Sequence, residues 1–464
     1  MTTTTAARTI APVSPPRSVR PTPAWWADLV GLAAGVSVLV VIALWARNGG
    51  VQQLGTEFAT SVGRLTGLVA SDLLLIQVLL MARIPLVERA FGQDRLARWH
   101  RWTGFTSFHL MLAHIVFITF GYAVATNVLV ELWNMIVTFP GMLLATAGTV
   151  ALCLVVVTSM RAARQRLRYE SWHLLHLYAY LGVGLALPHQ LWTGTDFIDS
   201  PWSRAYWWTL YALAAGAVVV YRLGRPVWRT WRHRLTVSHV VAEGPGLTSV
   251  YLRGHRLHAL PVRAGQFFQW RFLDGSGWSR ANPYSLSATP TGDLLRITVK
   301  DLGDGSARIA SLRPGTRAVI EGPFGRLTGE TYPGGPVVML ACGIGITPLL
   351  ALLGELPYRP GQATLIYRAR SEAEVAFRRE LEWFAKHRGV HVVYLYGSRA
   401  ARPSWLPRYL AKHEDAAVLM DIAPDIARST VYVCGPPPWT EAVGMAARTS
   451  GVPAERIHTE QFAW

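Results

Sequence analysis

Arg98–Phe117 reads RWHRWTGFTSFHLMLAHIVF, an apolar, helix-like run that carries His100 and His114. At 100° per residue, a spacing of fourteen returns to within about 40° of the same helix face. At 1.5 Å rise per residue, the two imidazoles lie roughly 21 Å apart along the axis. A second apolar run, Tyr169–Trp192, carries His176 and His189, thirteen residues apart. Two such helices side by side place facing imidazoles at two levels, as two bis-His haems stacked across a membrane would require. Intramembrane histidine is rare and tends to be functional, although a single one also bonds helix to helix. Thirteen residues is about 220° of rotation, and Pro188 loosens the turn that aims His189. His109 falls on the face opposite His100 and is expected to pack helices. His176 is preferred to its neighbour His173.

The 464 residues are 51% hydrophobic and 16% charged, with mean hydropathy +0.24. That balance suits a membrane half joined to a soluble half. Three scattered cysteines, Cys153, Cys342 and Cys434, cannot supply the four thiolates of an iron–sulfur cluster or a zinc ribbon. A net charge of +17 invites a nucleic-acid reading. The arginines cluster where membrane topology explains them, so no nucleic-acid partner is expected.

Residues 1–24 are Thr- and Pro-rich and are expected to form a disordered cytoplasmic tail without a secretory cleavage pattern. Six spans follow within 25–225, at about 27–46, 58–82, 102–125, 137–159, 170–192 and 205–222. Arg83, Arg89, Arg95, Arg98 and Arg101 follow span two; Arg161, Arg164, Arg166 and Arg168 follow span four. Arg222, Arg225, Arg229, Arg232 and Arg234 follow span six, and the opposite loops hold little besides Glu57, Glu131, Asp196 and Asp199. Positive charge marks the cytoplasmic side. The expectation is a multi-pass plasma-membrane protein with both termini cytoplasmic, His100 and His176 near the inner face, and His114 and His189 near the outer. Arg64 lies inside span two, where an unpaired charge is costly. Its partner is either a haem propionate or, by snorkelling, the interface.

Over 235–332 the pattern becomes short alternating runs, LTVSHVV, TSVYLRG, FFQWRFL, LLRITVK and RAVIEG, which argue for an antiparallel β-barrel. Over 333–464, strands VVMLA, ATLIYR, HVVYLY and TVYVCG alternate with helical stretches, an α/β parallel-sheet domain. Gly343-Ile344-Gly345-Ile346-Thr347-Pro348 follows the first of these strands and opens a helix, a place for a pyrophosphate. Cys434-Gly435-Pro436 ends a later strand, where parallel sheets bind ligands. In the barrel, Asn282-Pro283-Tyr284-Ser285 and Gly305-Ser306 could stack on a flavin and hold its phosphates; alone they would be ordinary turn residues.

In this order the motifs are specific. With Tyr169-Glu170, Gly265-Gln266-Phe267 and Glu321-Gly322-Pro323-Phe324-Gly325 added, the chain over about 27–464 resembles the ferric reductase and NADPH oxidase superfamily, in its bacterial ferredoxin-reductase-like form. The resemblance implies FAD in the barrel, NAD(P)H on the parallel domain and two b-type haems on His100, His114, His176 and His189. It implies that Tyr284 packs on the flavin, that Ser285 lies near its N5, and that Gly305 and Ser306 take its pyrophosphate. Gln266, Phe267, Pro283, Thr298 and Lys300 join the flavin set. Gly343, Gly345, Thr347, Pro348, Cys434, Gly435 and Pro436 form the nicotinamide set. Phe462 or Trp464 would cover the flavin face, and Tyr284, Ser285, Cys434, Phe462 and Trp464 make up the catalytic group. Asn282 stands where the family usually has Arg or His, so a charged contact to the flavin phosphates is missing unless Arg280 compensates. Arg368 and Arg399, past parallel strands, favour NADPH through its 2′-phosphate, with NADH possible.

The expected activity is electron transfer from cytosolic NAD(P)H through FAD and two haems to a small external acceptor, oxygen or ferric iron. Two rivals stand beside it: a cytochrome-b module that hands electrons to a partner protein, and a haem-free transporter or anchor with a reductase attached.

Overall fold

The computed structural model describes residues 25–164, 166–167, 169–275, 281–400 and 404–462, in two compact units that divide at Gly224–Arg225. The tail 1–24, Arg168, Arg280 and Trp464 lie outside the described residues.

The first unit is helical: α1 Trp25–Arg47, α2 Phe58–Met81, α3 Gln93–Tyr122, α4 Met142–Ser159, α5 Tyr169–Thr193 and α6 Pro201–Ala217. Within these, Asp28–Arg47, Phe58–Met81, Arg95–Tyr122 and Met142–Ser159 are the four segments long and apolar enough to cross a membrane among the described residues. Helix α3 starts nine residues before the expected span, so Arg95, Arg98 and Arg101 lie on its first turns rather than in a loop. The expected span 137–159 is broken. Pro140 lacks an N–H and restricts Phe139, and Gly141 takes φ +81°; a separate helix Val128–Thr138 therefore ends there and α4 begins at Met142. Helix α6 ends at Ala217 and continues as π-helical turns over Val218–Gly224.

Small residues let the helices approach. A Cβ on Gly148 of α4 would lie 2.8 Å from Gly182 O of α5, and one on Gly63 of α2 would lie 2.8 Å from the Ile118 side chain of α3. His109 is exposed, with its Nδ1 on Phe105 O, and is not the packing residue expected.

The second unit opens with helix α7, Arg225–His233. Strands β1 Thr236–Gly244, β2 Leu247–Arg253, β3 Phe267–Phe272, β4 Asn282–Ser285, β5 Leu294–Lys300 and β6 Ala318–Phe324 follow. They form two antiparallel sheets, β1-β2-β5 and β4-β3-β6, bridged at Leu286–Ile297 and Thr236–Arg317. Alternate residues fill their shared core, led by Phe268, Trp270, Phe272, Leu252, Ile297 and Ile320. A five-stranded parallel sheet succeeds it, in the order β11-β10-β7-β8-β9. Its strands are β7 Val337–Cys342, β8 Ala363–Arg368, β9 His391–Leu395, β10 Thr430–Gly435 and β11 Ile457–Gln461. Helices α8 Ile346–Glu355, α9 Arg378–Arg388, α10 Asp415–Ile422 and α11 Pro437–Thr449 help cover it, with one apolar core on each face. Strand β11 had no sequence signal: Ile457-His458-Thr459-Glu460-Gln461 is short and mostly polar.

Candidate functional site

The four span histidines fall into two pairs. The His100 and His176 rings stand 5.9 Å apart, centre to centre, at 61°. His189 lies within electrostatic range of His114. A metal sits about 2 Å from each imidazole nitrogen that holds it, so one ion between two rings sets their centres about 6 Å apart. The His100–His176 pair already has that separation.

Each Nδ1 is engaged by a neighbour. His100 Nδ1 meets Gln77 O at 3.3 Å, and His114 Nδ1 meets Gly63 O at 2.8 Å. Both acceptors are α2 carbonyls, fourteen residues apart like the histidines they hold. His176 Nδ1 lies 3.3 Å from Ser159 Oγ, and His189 Nδ1 lies 2.8 Å from Thr193 Oγ1. Such second partners orient metal-binding imidazoles. Two glycines make room: a Cβ on Gly67 would come within 2.5 Å of His114 Nδ1, and one on Gly141 within 2.7 Å of His189 N.

Arg64 has a partner that the sequence did not show. Its Nη2 donates to Asp196 Oδ2 at 2.9 Å and its Nε to the same oxygen at 3.1 Å. Asn48 Nδ2 adds a bond to Asp196 Oδ1 at 2.8 Å, and Gln53 accepts from Arg64. Asp196 lies between α5 and α6, on the short helix Thr195–Ile198, and is only 6% exposed. The buried carboxylate thus neutralises the cation that propionate or interface was expected to hold.

In the second unit the motif residues converge at the C-terminal edge of the parallel sheet. A Cβ on Gly345 would lie 2.2 Å from Cys434 O, so the two nucleotide loops touch backbone to backbone. Phe462 N donates to Gly435 O at 3.1 Å, which docks the chain end on the Cys434-Gly435-Pro436 loop. Thr347 Oγ1 donates to Ile344 O, and with Pro348 it is buried in the start of α8. A Cβ on Gly325 would lie 3.3 Å from Glu460 Oε2 and from the Phe267 ring, so the antiparallel half meets β11 here. Glu460 pairs in register with Cys434. Burial first, and then the Glu460 charge, push the Cys434 thiol well up, so it stays protonated at neutral pH.

On the antiparallel half, Ser285 Oγ is buried with no hydrogen-bond partner, an orphan that a flavin nitrogen would satisfy. A Cβ on Gly305 would lie 3.9 Å from Asn282 Oδ1, so the two candidate phosphate loops adjoin. Pro283 between them is exposed. Tyr284 is 8% exposed, packed in the core, and burial pushes its hydroxyl up to about 12. Ser306 Oγ donates to Gly303 O at 2.8 Å and accepts from Leu302 N at 2.7 Å, which closes its own turn. Gln266 Nε2 reaches Gly325 O at 3.4 Å. Thr298 Oγ1 lies inside, bonded to Ser249 and Ser287, and Lys300 Nζ meets Glu374 at 3.5 Å.

Arg368 is 5% exposed and its Nη1 donates to Ala369 O and Leu395 O. Arg399 donates to Ser404 O and Pro438 O. Both face backbone carbonyls, whereas Arg370, two residues past Arg368, is exposed in the same charge cluster beside Cys342. Neither Arg370 nor Glu460 stands out in the sequence; Arg370 lies just beyond a parallel strand, where a ribose phosphate is expected.

Two family comparisons match these halves. Ferric reductase like transmembrane component covers residues 66–187, and oxidoreductase NAD-binding domain covers 339–444. The chain carries a ferric reductase-like transmembrane component and an oxidoreductase NAD-binding domain. It joins apolar helices long enough to cross a membrane to an NAD-binding oxidoreductase domain. It is 30% identical to a flavohemoprotein of Chromobacterium violaceum, over 58% of this chain and 70% of that one. A glycine betaine monooxygenase reductase subunit of Chromohalobacter salexigens is 27% identical over 51% of this chain and 65% of its own length. The chain thus spans about two thirds of these curated relatives. The crystal structure of the flavohem-like FAD/NAD binding domain of nitric oxide dioxygenase from Vibrio cholerae is 24% identical, covering 49% of this chain and 98% of that one with a TM-score of 0.39.

Proposed function

We propose that the protein carries electrons from cytosolic NAD(P)H, through FAD and two b-type haems, to a small acceptor outside the plasma membrane, oxygen or ferric iron. The reading takes α1–α6 as six spans with both termini cytoplasmic. The observation that carries it is the pairing of the four histidines, with every Nδ1 engaged. Hydride brings two electrons and haem iron takes one, so FAD supplies the conversion between them.

The chain's own groups fit these roles. His100 with His176, and His114 with His189, would hold the haems. Ser285 would donate to the flavin beside Tyr284, with Asn282, Gly305 and Ser306 at its phosphates. Gly343–Pro348 and Cys434–Pro436 would seat the nicotinamide nucleotide, and Arg370, supported by Arg399, would meet a 2′-phosphate. Phe462 would lie over the nicotinamide entrance, with Cys434 and Glu460 beneath it.

A reduced-minus-oxidised spectrum and haem assay on the purified protein test the reading. Two low-spin haems per chain are expected, falling to about one in His114→Ala. One haem or none in wild type sinks the reading. A second reading has a specific support: one relative is named a reductase subunit. If the isolated protein reduces neither oxygen nor ferric chelate, but does reduce an added protein acceptor, electrons go to a partner instead.

A further inference from the structure

Helix α7 reads RPVWRTWRH and begins at Arg225, directly after Gly224, so no linker separates it from the membrane unit. Its faces are reversed. Arg229 and His233, one turn apart, are buried at 5% and 1% exposure, and the helix packs on β6. Val227, Trp228 and Trp231 point outward at 69%, 51% and 66% exposure. A helix facing water turns its apolar stripe inward. One that shows Trp and Val outward, flanked by Arg, suits the boundary between lipid headgroups and acyl chains. Arg232 lies 5.1 Å over the Trp228 ring, the pairing of charge and aromatic that such a boundary favours.

Beside this outward face is a cavity of about 410 Å³, lined by Thr230, Trp231, Arg234, Leu273, Arg317 and Val319 among others. Leu273 is exposed at its rim, and Arg234 and Arg317 are both exposed cations. Thr230 Oγ1 is buried without a hydrogen-bond partner. The cavity therefore offers an apolar wall and two guanidinium groups, with the unmatched hydroxyl buried behind its lining.

We propose that this cavity binds one anionic phospholipid of the bilayer surface, its phosphate toward Arg234 and Arg317 and its acyl chain along Trp231 and Leu273. Arginine forks match phosphate oxygens, and the indole supplies apolar area at low entropic cost. The site would tie the soluble half to the membrane independently of the redox chemistry.

The test uses the full-length protein, released from detergent and titrated with phosphatidylglycerol or phosphatidylcholine under native mass spectrometry. Wild type should retain phosphatidylglycerol at least tenfold more tightly than phosphatidylcholine. Arg317→Gln and Arg234→Gln together should remove most of that preference, with flavin content and melting temperature unchanged. If the pair misfolds, Arg317→Gln alone and Trp231→Gln are measured: the first should lower the preference several-fold, and the second should weaken both lipids. Equal retention of the two lipids by wild type, or a preference untouched by the arginine changes, overturns the proposal. Displacement of phosphatidylglycerol by millimolar inorganic phosphate also overturns it, since that would mark an anion site without a lipid component.

Discussion

His458 lies on β11 with its Nε2 buried and unbonded, its ring tilted against Tyr432 at 5.2 Å. Burial first, and then the nearby Arg326 charge, lower its pKa from 6.5 to about 4. The unfolded chain therefore takes up a proton near pH 6.5 that the native state refuses until about pH 4. Stability should fall as the pH drops through this window, by up to about 3 kcal/mol and less after solvent screening. Melting curves across the window should show that slope, and His458→Gln should flatten it; an equal slope in the variant would refute the assignment. Arg370 makes the second residue-scale prediction. A charge-assisted contact to phosphate is worth about 1.5–3 kcal/mol, so Arg370→Ala should raise KM for NADPH about tenfold or more and leave NADH nearly unchanged. Equal loss with both nucleotides would remove Arg370 from that role. At this scale the histidines were legible because two pairs of them in apolar runs are chemically conspicuous. Their supports were not, because Gln77 and Gly63 act through backbone carbonyls that any residue carries. Arg64 was conspicuous too, but its partner Asp196 lies 132 positions away, and only the fold joins them.

At the scale of elements, strands and spans were read from periodicity, and the misses follow from what periodicity ignores. Hydropathy runs smoothly across Thr138–Met142, yet Pro140 and the left-handed Gly141 force a break there. Strand β11 carries polar side chains because it is an edge strand, paired only with β10. The turn from β7 into α8 was legible as a glycine motif, although the reason for Gly345 was not. It is the Cys434 carbonyl, 2.2 Å from where a Cβ would stand. Gly345→Ala must push two backbones apart, since neither is a flexible side-chain end. NAD(P)H affinity should drop at least tenfold while FAD content is kept, as followed by steady-state reduction of ferricyanide. An unchanged KM would show that the loops do not need this contact.

At the scale of the molecule, the order of membrane part, antiparallel part and parallel part was legible from two changes of pattern, because each buries apolar surface with its own period. What holds the two soluble halves together was not, because its buried charge pair joins residues far apart in sequence. Arg296 of β5 is 3% exposed and donates to Glu380 of α9 at 2.6 and 2.9 Å. Its Nε donates to Ser287 Oγ, and its guanidinium lies 5.0 Å from the Phe377 ring. Burial works against the Arg296 charge, but the Glu380 charge and hydrogen bonds outweigh it and raise its pKa. Thr289 Oγ1 on Ala351 O and Ala264 N on Glu355 Oε2 add neutral and charged bonds across the same seam. In the proposed arrangement, hydride passes only while nicotinamide on one half and flavin on the other keep their spacing, since a displacement of about 1 Å costs on the order of a hundredfold in rate. Glu380→Gln leaves a buried guanidinium without its counter-charge, a loss of about 3–5 kcal/mol for a fully buried pair. Glu380 is 28% exposed, so water reaches it and the lower end of that range applies. The variant should melt several degrees earlier and reduce ferricyanide more slowly from NADPH, while retaining FAD and the haem spectrum. Arg296→Met with Glu380→Leu removes both charges and should recover most of the melting temperature. Normal melting and hydride transfer in Glu380→Gln would show that the seam is held by its apolar and backbone contacts alone.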